Sequence, residues 1–117
     1  MRDSRSVDEL FALVARDQGR IDILVANAGI VSMASVADME EKTWDDCLAV
    51  NAKGVFLTCR AALRYMIPAG SGRIVAVSSI AGKTGLPYTA HYSAAKFAVV
   101  GFVQALAREV TPLGINV

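Results

Sequence analysis

The chain has 117 residues, 54% of them hydrophobic, with 12 Lys and Arg against 11 Asp and Glu and a formal net charge of +1. That length fits one domain with one small core, and so balanced a charge supplies no field for nucleic-acid backbones or anionic membranes, so no nucleic acid is expected as a partner. Cys47 and Cys59, with a single His in the chain, fit no zinc or redox spacing and read as reduced packing residues; Arg2, Asp3, Arg5, Asp8 and Glu9 stand where a signal peptide would be apolar, no run suits a membrane span, and the expected compartment is the cytoplasm.

Ser6 followed by Glu9 is a capping box, and Val7, Leu10, Phe11 and Val14 recur at helical spacing until Gly19 offers a left-handed stop. Ile21 to Ala26 is short, apolar at nearly every position and rich in Ile and Val, as expected of a strand covered on both faces. After a loop, Thr43 with Asp46 three residues later opens a long helical pattern that runs to about Ile67 and stops at Pro68 and Gly70. Asn51 and Gly54, both poor helix formers, interrupt it midway, and such a local inconsistency often marks a functional position. Ile74 to Ser78 is a second buried strand, a loop extends to Pro87, and Thr89 to roughly Val110 is a third helix ended near Pro112 and Gly114. Ile115 to Val117 reads as a third strand. Helices alternating with strands predict an α/β fold, with helical crossovers onto a parallel sheet of three strands and three helices.

In an open parallel sheet, ligands sit beyond the carboxyl ends of the strands. Here the first strand ends in Asn27-Ala28-Gly29, the second in Ser78-Ser79, and the third helix opens with Tyr92-Ser93-Ala94-Ala95-Lys96. Tyr92 and Lys96, four apart on a helix, share one face. A free phenol has a pKa of about 10, too high for a base near neutrality, and a neighbouring ammonium favours the phenolate. The pair suits proton exchange between an alcohol and a carbonyl, with the Ser79 hydroxyl on the same substrate oxygen. Such a pair alone is common and reads as a solvated face; Ser79 on a strand end and the Asn-Ala-Gly turn give it its meaning.

Four ordered segments carry a resemblance: Asp22-Ile23-Leu24-Val25-Ala26-Asn27-Ala28-Gly29, Val50-Asn51-Ala52-Lys53-Gly54-Val55-Phe56, Gly72-Arg73-Ile74-Val75-Ala76-Val77-Ser78-Ser79 and Tyr92-Ser93-Ala94-Ala95-Lys96. On these, the chain resembles the classical short-chain dehydrogenase/reductase family across essentially its whole length. The resemblance implies a partial Rossmann-like, doubly wound parallel sheet forming a single domain over residues 1–117. It implies that Tyr92 is the general acid/base, that Lys96 supports it and binds the nicotinamide ribose, and that Ser79 orients the substrate. Asn51 completes a tetrad by holding a water through a kinked helix. Asn27, Ala28 and Gly29 match a turn along the cofactor, NAD or NADP; the family usually has a second Asn where this chain has Ala26.

The implied function is an oxidoreductase that moves a hydride between NAD or NADP and a secondary alcohol or ketone, with a small-molecule substrate and no membrane partner. Pairing of helices 43–67 and 89–110 into a homo-oligomer is implied as well. The alternative is a truncated, non-catalytic fragment that self-associates through those helices. The family begins with a strand, a glycine-rich turn and a helix that receives the pyrophosphate, and no Gly-x-Gly-x-x-Gly precedes the first strand here. An internal piece of the usual domain is therefore expected, binding dinucleotide weakly, with unpaired strand groups and apolar faces exposed. Gly82 to Pro87 borders the site without choosing a substrate, and NAD versus NADP stays open. His91 points about 100° away from Tyr92 around the helix and is given little weight. Asp45 and Asp46 read as complements to a helix dipole, Trp44 as packing, and Arg60 and Arg64 as an exposed or interfacial face.

Overall fold

The computed structural model describes residues 2–117. Its first helix, α1 (Ser4–Gln18), starts from Asp3, whose carboxylate accepts the Ser6 backbone N–H at 2.9 Å and the Ser6 hydroxyl at 2.8 Å. The cap therefore lies three residues before the expected Ser6, because Asp is as good an N-cap as Ser and the earlier start adds a turn. These bonds, that from the Ser6 amide foremost, hold the Asp3 carboxyl below the usual range. The expected stop is found: Gly19 is left-handed, with φ of 76°.

The middle helical pattern resolves into α2 (Glu41–Leu48), a π turn (Ala49–Lys53) and α3 (Gly54–Ala69), continuous with one another. It begins two residues before Thr43, where Glu40 supplies an extended N-cap and its backbone carbonyl accepts from Thr43 at 2.9 Å. Asp45 and Asp46 accordingly lie beyond the first turn, away from the position where they would complement the dipole. Asp46 instead pairs with Lys42 and Arg2, which hold its carboxyl low, the Lys42 bond foremost. Pro68 falls inside the last turn, and the helix ends at left-handed Gly70, with φ of 63°. The last helix, α4 (Ala90–Val110), matches its expected span closely.

Three strands, β1 (Ile23–Ala26), β2 (Gly72–Ala76) and β3 (Ile115–Asn116), form one parallel sheet in that order. The register Leu24↔Ile74 and Ala26↔Ala76 ends β2 two residues before the expected Ser78, although Val77 N–H still bonds the Ala26 carbonyl at 3.0 Å. Alternation decides what each face meets. Leu24, Ala26, Ile74 and Ile115 are buried in one cluster with Phe11 of α1, Leu57 and Met66 of α3, and Val99, Leu106 and Val110 of α4. On the opposite face Ile23 is 65% exposed, Val25 57% and Val75 52%. The expectation that β1 is covered on both faces is thus corrected: among the described residues the helices pack on one face, as the expected bare apolar face implies. Covering such side chains is worth roughly 1.5–3 kcal/mol each, so the open face forgoes several kcal/mol of burial.

Two glycines let segments approach closely. A Cβ at Gly72 would sit 2.5 Å from Met66 Sδ, and one at Gly114 would sit 2.1 Å from the Gly70 carbonyl oxygen on a backbone with φ of 81°. Gly114→Ala is expected to lower stability by at least about 1 kcal/mol in urea unfolding, whereas Gly85→Ala, with nothing within 4 Å of the new methyl, leaves the midpoint in place. Equal midpoints for the two variants would contradict this packing.

Candidate active site

Where a parallel strand ends, its next backbone groups have no ladder and need other partners. Beyond β1 the chain runs through Asn27, Ala28 and Gly29, all exposed, to Ile30, whose backbone is taken up by a side chain. Asn51, fully buried in the π turn, donates from Nδ2 to the Ile30 carbonyl at 2.8 Å and accepts the Ile30 N–H on Oδ1 at 3.1 Å. The same Nδ2 bonds the Cys47 carbonyl at 2.9 Å. The poor helix formers noted in the sequence therefore produce a π turn rather than a break, a device often found at functional positions.

Lys96 is 4% exposed and donates from Nζ to the Val77 carbonyl at 2.8 Å, just past β2. Its ammonium lies 5.6 Å from the Tyr92 ring centroid, so the four-residue spacing on α4 brings the two together. Gly29 closes this group from the β1 side: a Cβ there would lie 2.7 Å from Asn51 Oδ1 and 3.8 Å from Lys96 Nζ. Gly29, Asn51, Lys96 and Tyr92 thus converge at the strand ends, while Asn27 and Ala28 stay on the rim.

Ser79 opens a short 3₁₀ turn (Ile80–Gly82), accepting the Ala81 N–H on its hydroxyl oxygen at 3.2 Å. That bond leaves the hydroxyl proton free to be donated. The turn is pressed onto α4, since a Cβ at Gly82 would come 2.7 Å from the Lys96 carbonyl oxygen, and Ser78 Oγ donates to that same oxygen at 3.0 Å. Among the described residues the Tyr92 hydroxyl has no protein hydrogen-bond partner, and no group of three side chains suits a metal ion.

Several residues behave otherwise than their sequence context suggests. His91 is fully buried, and its Nε2 lies 2.9 Å from Ser32 Oγ. Cys47 packs as expected but also touches the Asn51 amide, Sγ to Nδ2 3.2 Å. Trp44 is exposed rather than packed. Arg64 pairs with Asp8 of α1 at 3.0 Å, and the Arg60 guanidinium lies 5.4 Å from the Phe56 ring centroid. For His91, Ser78 and Gly82 the decisive neighbours are distant in sequence, so their place near the site was legible but their contacts were not.

Known proteins resemble this chain in sequence and in fold. The family model for short chain dehydrogenase matches residues 1–117. A 3-oxoacyl-[acyl-carrier-protein] reductase from Haemophilus influenzae is 40% identical over 98% of this chain and 48% of its own length. A D-threitol dehydrogenase from Mycolicibacterium smegmatis is also 40% identical, over 98% of this chain and 44% of its own length. The crystal structure of carveol dehydrogenase from Mycobacterium avium in complex with NAD superposes with a TM-score of 0.95 at 34% identity, over 99% of this chain and 43% of that one. The chain spans about half the length of the curated relatives it matches.

Burial raises the Cys47 thiol above its ordinary value, partly offset by the Asn51 bond and the Lys96 charge, and pushes Cys59 up to about 11. Because the thiolate is the reactive form, a disulfide reagent at pH 8 is expected to leave Cys59 unmodified in the native chain and to modify it rapidly in urea. Rapid native labelling of Cys59 would contradict its burial.

Proposed function

The chain belongs to the short-chain dehydrogenase family, and we propose that it carries the catalytic half of an oxidoreductase moving a hydride between NAD or NADP and a secondary alcohol or ketone. The observation that supports this most is the convergence of Lys96, Tyr92, Asn51 and Gly29 at the carboxyl edge of the sheet, where open α/β sheets bind ligands.

In the reducing direction, the Tyr92 hydroxyl, unengaged among the described residues, donates its proton to the substrate oxygen as that oxygen gains charge; in oxidation it accepts the proton. Ser79, whose proton is free, donates a hydrogen bond to the same oxygen. Lys96 places its buried ammonium beside the ring of the residue that exchanges the proton. Asn51 touches none of the reacting atoms in this reading: it fixes the Ile30 backbone and, with it, the turn at Gly29.

The residues present fit the nicotinamide end of the dinucleotide. Lys96 uses one of its three N–H donors on Val77, which leaves two for ribose hydroxyls, and Gly29 keeps open beside it a space that a methyl group would fill. The nicotinamide, when bound, supplies the hydride chemistry. The pyrophosphate would need donors of the glycine-rich kind, absent before β1 in these 117 residues. Two buried free thiols suit a reducing compartment, the cytoplasm. The relatives' names include an acyl thioester, a polyol and a terpene alcohol, so the substrate class proposed is a small alcohol or carbonyl compound.

A second reading, a non-catalytic chain that self-associates through helices 43–67 and 89–110, draws support from the surface of α3 and α4. Phe56, 43% exposed, meets Phe102 edge-to-face at 6.3 Å there, the kind of aromatic patch that interfaces favour. The same helices would serve a homo-oligomeric enzyme.

Tyr92→Phe separates the two readings. Turnover of a ketone with reduced dinucleotide is expected to fall by at least about a hundredfold, while the dissociation constant of the reduced dinucleotide holds. Turnover retained in Tyr92→Phe rejects the proposed chemistry, and absence of turnover in a wild-type chain that binds the reduced dinucleotide favours the non-catalytic reading.

A further inference from the structure

Tyr92 stands in the first turn of α4, where backbone N–H groups have no partners within the helix. Thr89, the N-cap residue, makes no capping bond; its hydroxyl donates to the Leu86 carbonyl at 3.0 Å. One residue earlier Tyr88 has φ of 62°, a left-handed conformation that costs energy in a residue with a Cβ. The Ser93 hydroxyl takes up the Leu86 N–H at 3.3 Å and lies 3.4 Å from the Thr89 hydroxyl, but no side chain at the N-cap takes up the free N–H groups of the helix. The start of the helix is also held from across the rim.

Residues 30–34 lie in no helix or strand, yet they are tied at every second position. Ile30 is bound by Asn51, Ser32 Oγ lies 2.9 Å from His91 Nε2, and Ala34 N–H donates to the Tyr88 carbonyl at 2.9 Å. Two of these ties reach the opening of α4, at the residue immediately before Tyr92 and at the one four before it.

The His91 tie is a poor choice for stability alone. The ring is fully buried, and its Nδ1 has no partner among the described residues. A buried polar nitrogen without a partner loses its hydration and regains nothing, so a Leu of similar volume would pack there at less cost. Ser32 is exposed, and its hydroxyl could bond water instead.

We propose that His91 is a positioning residue: through Ser32 it fastens the first turn of α4 to segment 30–34 and holds the Tyr92 hydroxyl in place against the bound carbonyl. The catalytic consequence rests on the oxidoreductase reading, and the tie itself rests on the geometry alone.

The test compares the full chain with His91→Leu, Ser32→Ala, the double variant and His91→Gln, whose amide reaches about as far as Nε2. In His91→Leu and Ser32→Ala, kcat and kcat/KM for ketone reduction fall together by roughly three- to tenfold, the effect of one lost hydrogen bond. The double variant falls no further than either single one, His91→Gln recovers most of the rate, and the Tm of His91→Leu stays at or above that of the wild type. An unchanged kcat in His91→Leu, or a loss of rate that follows a loss of Tm, overturns the proposal. Amide exchange over residues 31–34 and 90–93 reads the tie without turnover: it quickens in His91→Leu and returns toward wild type in His91→Gln. Unchanged exchange overturns the tie, whereas that exchange pattern together with no turnover in a chain that binds the reduced dinucleotide upholds it and removes the oxidoreductase reading instead.

Discussion

The buried amide of Asn51 stands in for a sheet ladder at the point where β1 stops. It satisfies both backbone groups of Ile30 from one side chain, so the chain leaves the strand in a fixed direction even though no further strand residue guides it. Gly29 is thereby brought so close that only a hydrogen fits in place of a side chain. The Lys96 ammonium, on the far side of that pinch, is fixed in turn by the Val77 carbonyl. The π turn is what makes the Asn51 contacts possible, because it carries a polar residue into full burial while the helix continues on both sides.

The site and the core share the same helices but draw on different ends of them. Phe11, Leu57, Met66, Val99 and Leu106 pack beneath the sheet, and the polar groups gather at the strand ends, where backbone groups are left over. The opposite face of the sheet, with Ile23, Val25 and Val75 open to solvent, contributes nothing to either. A fold with half its sheet uncovered has less burial to set against chain entropy. The hydrogen-bonded clamps at the strand ends then matter more to local order than they would in a fully covered sheet.

Much of this was legible in the sequence, and the exceptions have physical causes. The strands and helices follow from short apolar runs and 3.6-residue periodicity. Helix starts moved because Asp3 can cap as well as Ser6, and β2 moved because an apolar run does not disclose its parallel register. Asn51, Ser79, Tyr92 and Lys96 stood out because their residue types are unusual beside strand ends and on one helix face. Asn51 and Gly54 marked the place of a helical irregularity, but only the partners of the Asn51 amide make it a π turn rather than a kink. His91 was given little weight and Ser78 no role of its own because what they do depends on partners 59 and 18 residues away, which the folded chain alone brings near.

Native-state amide exchange at Ile30, in the wild type and in Asn51→Ala, reads the central clamp directly. If the Asn51 side chain holds the strand end, the Ile30 amide is protected in the wild type and exchanges like an exposed loop in the variant, while Val77, bonded to the Ala26 carbonyl within the sheet, keeps its protection. Equal protection of Ile30 in the two proteins would mean that something other than Asn51 fixes the chain beyond β1, and that the site is not organised around this amide.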